Sequence, residues 1–310
     1  MTELDRLDPT CRRLVGIVPS LNTPFLADGA VDEPSVVRLV EASVAAGVAG
    51  LLVLAVASEN RALSIAERGR IGAIIIETAA RRLPVIVAVS APDLDTALEL
   101  TRQAVALGAE GVCYQAPAGI GRAALGDQIG AIAALGPPLV MLQDLDFAGP
   151  GLPLEDIAWL CEHHPRLRAI KVETQNAGPK YSALLARFAG ALHVSGGWAV
   201  MQMIEALERG VHAFMPTAMD HIYVRIHRLF AAGRREEAEA LFGQLLPFVA
   251  FSNQHLEVSI RFFKRLRWLD GTFATDHCRA PTVPLDPFQQ ASMARLAPRA
   301  VALDRALAGR

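Results

Sequence analysis

Lysine is nearly absent from this chain. Only Lys171, Lys180 and Lys264 stand among its 30 basic residues, and the rest are arginine. Tyrosine is as scarce, with three residues. The four cysteines (Cys11, Cys113, Cys161 and Cys278) form no CxxC pair, which argues for reduced thiols and against a disulfide framework or a zinc site. No sign of charge dominates: the formal net charge is −2. Such a balance offers no basic footprint for nucleic acid and no polybasic patch for a membrane surface. Long apolar runs are missing too. A long uncharged stretch starts at Ala42, is broken by Gly47 and Gly50, and ends before Glu59. It reads as a helix end followed by a strand, not as a membrane span. The opening "MTELDRLDPTCRR" lacks the apolar core of a signal peptide, and a soluble cytoplasmic protein is expected.

What is present is a large globular composition, 310 residues with a hydrophobic fraction of 52 % and a charged fraction of 20 %. That is enough to bury a substantial core. Eight β-rich runs alternate with amphipathic stretches of helical period. The first four are "LVGIVPS" (14–20), "GLLVLAVAS" (50–58), "PVIVAVS" (84–90) and "GVCYQA" (111–116). The others are "PLVMLQD" (138–144), "LRAIKVE" (167–173), "LHVSGG" (192–197) and "HAFMPTA" (212–218). Ser64 with Glu67 makes a capping box, and Pro153 with Glu155 and Asp156 suits a first helical turn. Eight even units with no GxGxxG after the first strand favour a closed (β/α)8 TIM barrel over an open doubly wound sheet. After Asp220 only helical periods remain. The expected division is a barrel over 12–225 and an all-helical extension over 226–310.

One lysine lies inside a strand. In "LRAIKVET", Ile170 and Val172 suit the helix-facing side, so Ala169, Lys171 and Glu173 would point into the barrel. A charged amine in a partly dry interior is costly. A neutral one can attack a carbonyl and form a Schiff base, which activates the adjacent carbon. The alternative is a structural ion pair between Lys171 and Glu173, and spacing alone leaves the two readings level. The position near the C-terminal end of strand six, where barrel active sites lie, favours the nucleophile.

At these residues the chain resembles the dihydrodipicolinate synthase and N-acetylneuraminate lyase family, pyruvate-handling class I lyases on a (β/α)8 barrel with C-terminal helices. "TPFLADGAVD" (23–32), "ALSIAERGRI" (62–71) and "LPVIVAVSAPDLDTALELTRQAVALGAEGV" (83–112) are similar to the family's first three units. "AIKVE" sits where the family keeps its imine-forming lysine, and "VSGGWAVMQMIEALERGVHAFMPT" (194–217) resembles its seventh and eighth units. The departures are specific. Where the family typically reads Gly-Thr-Thr-Gly-Glu, this chain reads Ala55-Val56-Ala57-Ser58-Glu59. Gln143-Asp144 replaces the relay tyrosine and the asparagine after strand five. "APAGIGR" lacks the tyrosine lent between subunits, and "LDFAGPG" lacks the arginine that holds a second carboxylate.

The resemblance implies a class I lyase in which Lys171 forms the imine with pyruvate or a longer 2-oxo acid. Aldol cleavage, condensation or dehydration would follow. The backbone amides of Ala57 and Ser58 would hold the keto-acid carboxylate, Gln143 would contact substrate or imine, and Glu59 would organise the strand-two turn. Gly196 and Phe214 would shape the pocket. No cofactor and no metal are called for, and a homotetramer or homodimer is expected. Two rivals have weaker support: Tyr114 as a replacement acid, and a divalent cation held by Asp144 and Glu173. A reading from another class is a barrel that has lost catalysis and binds a small keto acid as a sensor or regulator.

Overall fold

Strands form where β-branched residues cluster, and capping residues start the helices between them. The computed structural model describes residues 4–197, 201–279 and 283–308; residues 198–200 of the "VSGGWAV" stretch fall outside them. The first four strands are β1 (Gly16–Ile17), β2 (Leu51–Val53), β3 (Val85–Ala88) and β4 (Gly111–Gln115). The remaining four are β5 (Val140–Asp146), β6 (Leu167–Thr174), β7 (His193–Gly196) and β8 (Ala213–Phe214). All pair in parallel, in the order β1-β8-β7-β6-β5-β4-β3-β2. A bridge between Ser20 and Leu52 joins the outermost strands, and the Leu52 N–H donates to the Pro19 carbonyl at 3.0 Å. The sheet therefore closes as a (β/α)8 barrel.

A short helix α1 (Pro9–Arg13) precedes the barrel. The intervening helices are α2 (Glu33–Ala46), α3 (Ile65–Ala79), α4 (Leu94–Ala106), α5 (Arg122–Ala134), α6 (Leu154–His163), α7 (Ala177–Phe188) and α8 (Met203–Glu208). Ser64 and Glu67 complete the capping box of α3: the Glu67 N–H donates to Ser64 Oγ at 3.2 Å, and the Ser64 N–H donates to Glu67 Oε2 at 2.9 Å. The run at 50–58 is strand only in part. Leu54 has a φ of 59°, which breaks the pleat, and Val56–Ser58 turn as a 3-10 helix. That turn sets the strand-two side of the site. Strand five instead runs two residues past its expected end, to Asp146.

Alternation along the strands sorts the core into two shells. Leu52, Ile86, Cys113, Met141, Ala169 and Met215 belong to the inner cluster, which Leu7, Cys11 and Leu14 extend from the N-terminal segment. Val53, Val112, Leu142, Ile170, Val172 and Phe214 belong to the larger cluster between strands and helices. A barrel filled in this way is a packed solid for most of its length. Beyond the inner cluster, toward the C-terminal strand ends, a cavity opens among the described residues.

Four helices complete the chain: α9 (Asp220–Ala231), α10 (Arg235–Ser252), α11 (Leu256–Leu269) and α12 (Pro287–Leu307). Helix α9 packs on β1 and α2, so residue 225, the expected barrel boundary, lies inside a helix that serves both parts. The Asp220 carboxylate accepts from Ser43 Oγ and from an Arg267 nitrogen, each at 2.9 Å. Lys264 on α11 is fully buried and paired with the equally buried Glu59 after β2, and its ammonium lies 4.2 Å from the centre of the Phe25 ring. Burial pulls the Lys264 amine below the usual lysine range, against the attraction of Glu59. No described helix is long and apolar enough to cross a membrane. Removing one partner of a buried pair strands the other. Lys264→Ala is thus expected to lower unfolding stability by about 3–5 kcal/mol in urea titrations, with the Glu59→Gln/Lys264→Met pair closer to wild type.

Candidate active site

Strand β6 places its side chains by strict alternation. Lys171 and Glu173 face a cavity at the C-terminal mouth of the barrel, while Ile170 and Val172 pack against the helices. The register sets Gln143 of β5 directly beside Lys171, and Leu145 beside Glu173. Glu173 Oε2 lies 3.0 Å from Lys171 Nζ and accepts from Gln143 Nε2 at 2.5 Å. All three side chains are buried: Lys171 is 4 % exposed, Glu173 7 % and Gln143 2 %. A Cβ on Gly197 would overlap the Glu173 carboxylate, so the glycine leaves the room that this carboxylate occupies. Beneath them Cys113 Sγ lies 4.0 Å from Gln143 Oε1, and burial pushes its thiol up to about 12.

All three lysines answer a carboxylate. Lys180 pairs with Asp144, and Lys264 with Glu59. Among the described residues, Lys171 is the lysine whose side chain lines the cavity. The cavity is tight: about 40 Å³ of it is free to water-sized molecules, within about 510 Å³ of space that includes the open mouth. Ser20 and Asn22 border it beyond β1, and Met215 and Thr217 beyond β8. Ser20 Oγ is buried and has no hydrogen-bond partner, an unusual state for a hydroxyl. The rim is largely apolar: Leu145 lies near the end of β5 and Phe147 just after it, and Leu256, Ile260 and Phe263 come from α11.

The other expected site residues distribute unevenly. Ala57 lines the cavity. Ser58 does not, because its N–H donates to the Ala55 carbonyl at 2.9 Å and its hydroxyl to the Leu21 carbonyl at 2.5 Å. Glu59 is turned away as well. Its carboxylate is held by Lys264 and by the Arg279 N–H at 2.8 Å, which ties the strand-two turn to the C-terminal region. Gly196 faces α7, where an added Cβ would meet the Tyr181 hydroxyl at 2.6 Å. Phe214 belongs to the outer shell. In both strands the neighbour one residue on, Gly197 or Met215, is the one turned inward. Strand β8 is too short and apolar for a pattern to reveal its parity, whereas in β7 the alternation of His193 and Ser195 with Val194 is a signal that sequence reasoning missed.

Among the described residues that line the cavity there is no tyrosine. The Tyr114 hydroxyl donates to Gln128 Oε1 on α5 at 2.8 Å, and Tyr181 packs against Gly196. Asp144 points outward, bonded to Lys180 and to the Leu152 N–H. It thus lies on the opposite face of the sheet from Glu173, and the two cannot share a cation. Sequence reasoning missed Ser20, Asn22 and Thr217. Ser20 had one legible signal, its place at the C-terminal end of a strand candidate. The α11 residues had none, because the chain reaches them long after the last strand.

A parallel (β/α)8 barrel with an interior lysine at the C-terminal end of strand six defines the class. Residues 13–299 match the Dihydrodipicolinate synthetase family, and the chain belongs to that family. The 4-hydroxy-tetrahydrodipicolinate synthase of Stenotrophomonas maltophilia is 29 % identical over 243 residues, covering 77 % of this chain and 81 % of the relative. The synthase of the same name from Salinibacter ruber is 31 % identical over 161 residues, which is half of this chain and 53 % of that relative's length. The crystal structure of dihydrodipicolinate synthase from Rhodopseudomonas palustris superposes with a TM-score of 0.85 at 24 % identity, over 94 % of this chain and 99 % of that one. That likeness is one of fold.

Because the Cys113 thiol is buried in the cavity floor and held protonated at neutral pH, it should resist iodoacetamide at pH 8 in the native protein and react after unfolding. Peptide mass spectrometry reads this directly. An adduct at Cys113 in the folded state would mean that the floor opens.

Proposed function

We propose that this protein is a class I lyase that forms a Schiff base between Lys171 and pyruvate or another 2-oxo acid. The observation that carries the reading is the amine of Lys171 on a buried, polar-floored cavity at the end of the barrel where barrel enzymes work. Glu173, 3.0 Å from that amine, is one proton transfer away from freeing the nitrogen lone pair. Once the imine forms, its positive charge draws electrons from C3 of the keto acid. An aldol cleavage, a condensation or a dehydration can then proceed from the resulting enamine.

The carboxylate of the keto acid is assigned to the unpartnered Ser20 hydroxyl and the Ala57 amide, which together take the place of the missing threonines. Gln143 keeps its contact with the acid–amine pair. Leu145, Phe147, Leu256 and Ile260 make an apolar mouth. Among the described residues that line the cavity, Lys171 is the sole cation. Both features favour an aldehyde or leaving group with an apolar substituent over one that carries a second carboxylate, as the absent arginine in "LDFAGPG" also suggests. A homodimer or homotetramer in the cytoplasm belongs to the same proposal and rests on family membership.

Incubation with pyruvate and sodium borohydride should add one reduced pyruvate to the peptide containing Lys171, and Lys171→Ala should give no adduct. A chelator should change neither result. Pyruvate bound without an adduct would leave the sensor reading in place of the enzyme. Ser20→Ala should weaken pyruvate binding about tenfold, the loss of one hydrogen bond to a charged group. Ser58→Ala should leave binding unchanged and lower stability only, and titration calorimetry separates the two.

A further inference from the structure

Class I imine chemistry needs a group that gives a proton to the departing hydroxyl and takes one from C3. The cavity offers no tyrosine for this: Tyr114 and Tyr181 are held against helices, and Tyr223 is buried in α9. Its hydroxyls, from Ser20, Thr217 and Ser259, do not ionise at neutral pH. Gln143 is an amide, which cannot act as an acid or base at neutral pH. A carboxylate, by contrast, already touches the reacting nitrogen. We propose that Glu173 is the acid–base group of this site, an inference that rests on the imine reading above.

Three observations place it. Glu173 Oε2 is 3.0 Å from Lys171 Nζ, and C3 of a bound imine lies two bonds from that nitrogen. Gln143 Nε2, at 2.5 Å from the same oxygen, fixes the carboxylate while leaving it free to gain and lose a proton. Gly197 leaves open the space that the carboxylate fills. The other two lysine–carboxylate pairs differ: Asp144 and Glu59 take their second hydrogen bond from a backbone N–H and neither lines the cavity, whereas Glu173 takes its second from a side chain and does line it.

The protons balance. In the resting pair the amine is protonated and Glu173 ionised. Transfer of that proton to Glu173 gives a neutral amine, which bonds to C2 of the keto acid. A shift of one amine proton onto the former carbonyl oxygen gives the carbinolamine. Glu173 then returns its proton to the hydroxyl, the C–O bond breaks, and water leaves an iminium beside an ionised Glu173. The carboxylate next removes a proton from C3, giving a neutral enamine and a protonated Glu173. Reversal of that last step returns a solvent-derived proton to C3.

The final step can be read without a second substrate. In D2O the wild type should exchange the methyl protons of pyruvate, followed by NMR. Glu173→Gln should form its imine slowly but, once labelled at Lys171 after long incubation with excess pyruvate, should exchange at least 100-fold more slowly per labelled enzyme. Gly197→Ala, which keeps the acid and displaces it, should also slow exchange while labelling persists. If either variant traps too little to be read, formate added to folded Glu173→Ala should restore labelling and exchange in proportion to its concentration. Exchange in labelled Glu173→Gln within threefold of wild type overturns the proposal, as does a failure of formate to rescue. Absence of labelling in the wild type would instead remove the imine reading, and this inference with it.

Discussion

An ammonium group kept inside a barrel needs a carboxylate at contact distance, and the mouth of this barrel is arranged around that demand. Lys171 is 4 % exposed and meets Glu173 at 3.0 Å. A buried pair of this kind balances a large desolvation cost against a Coulombic gain strengthened by the same dry surroundings. The balance holds only while both remaining lone pairs and donors find partners. Gln143 takes one of them, and Gly197 keeps the space open. The preference for arginine elsewhere fits this economy. Arginine stays charged and suits surface ion pairs, such as Arg70 with Glu33, whereas lysine can give up its proton when buried.

The C-terminal helices are part of the site. Helix α11 supplies Ile260 and Phe263 to the cavity wall and, on the same helix, Lys264 to Glu59. Asp220 and Arg267 link α9 to α11, and Asp220 also reaches Ser43 on α2. The turn after β2, which brings Ala57 to the cavity, is therefore held from the far end of the chain. Glu59 is a positioning residue in this arrangement. Its carboxylate never reaches the ligand space.

Much of the architecture was legible. Eight β-rich runs with helical stretches between them identify the barrel, since each run must bury two faces and each amphipathic helix one. "AIKVE" shows its own parity, because two β-branched residues alternate with two charged ones. At Phe214 no such contrast exists, at Gly196 the alternation of His193 and Ser195 with Val194 was passed over, and a one-residue error in parity moves a side chain through the sheet. Ser58 was misplaced for a different reason. A hydroxyl beside a cavity can equally bond a nearby carbonyl, and the turn geometry at Leu54 and Glu59 decided for Leu21.

What could be read along the chain was local: the strand period, the caps, the rarity of lysine and its place among apolar neighbours. These depend on residues within a few positions of one another. The ring of groups around the amine depends on strands β1, β2, β5, β6, β7 and β8 and on α11 meeting at one end. Barrel closure and strand register, not any single segment, bring Ser20, Gln143 and Glu173 to the cavity that Lys171 lines. Only the tertiary structure can decide such a convergence, because the free energy of each contact is felt after the chain has closed.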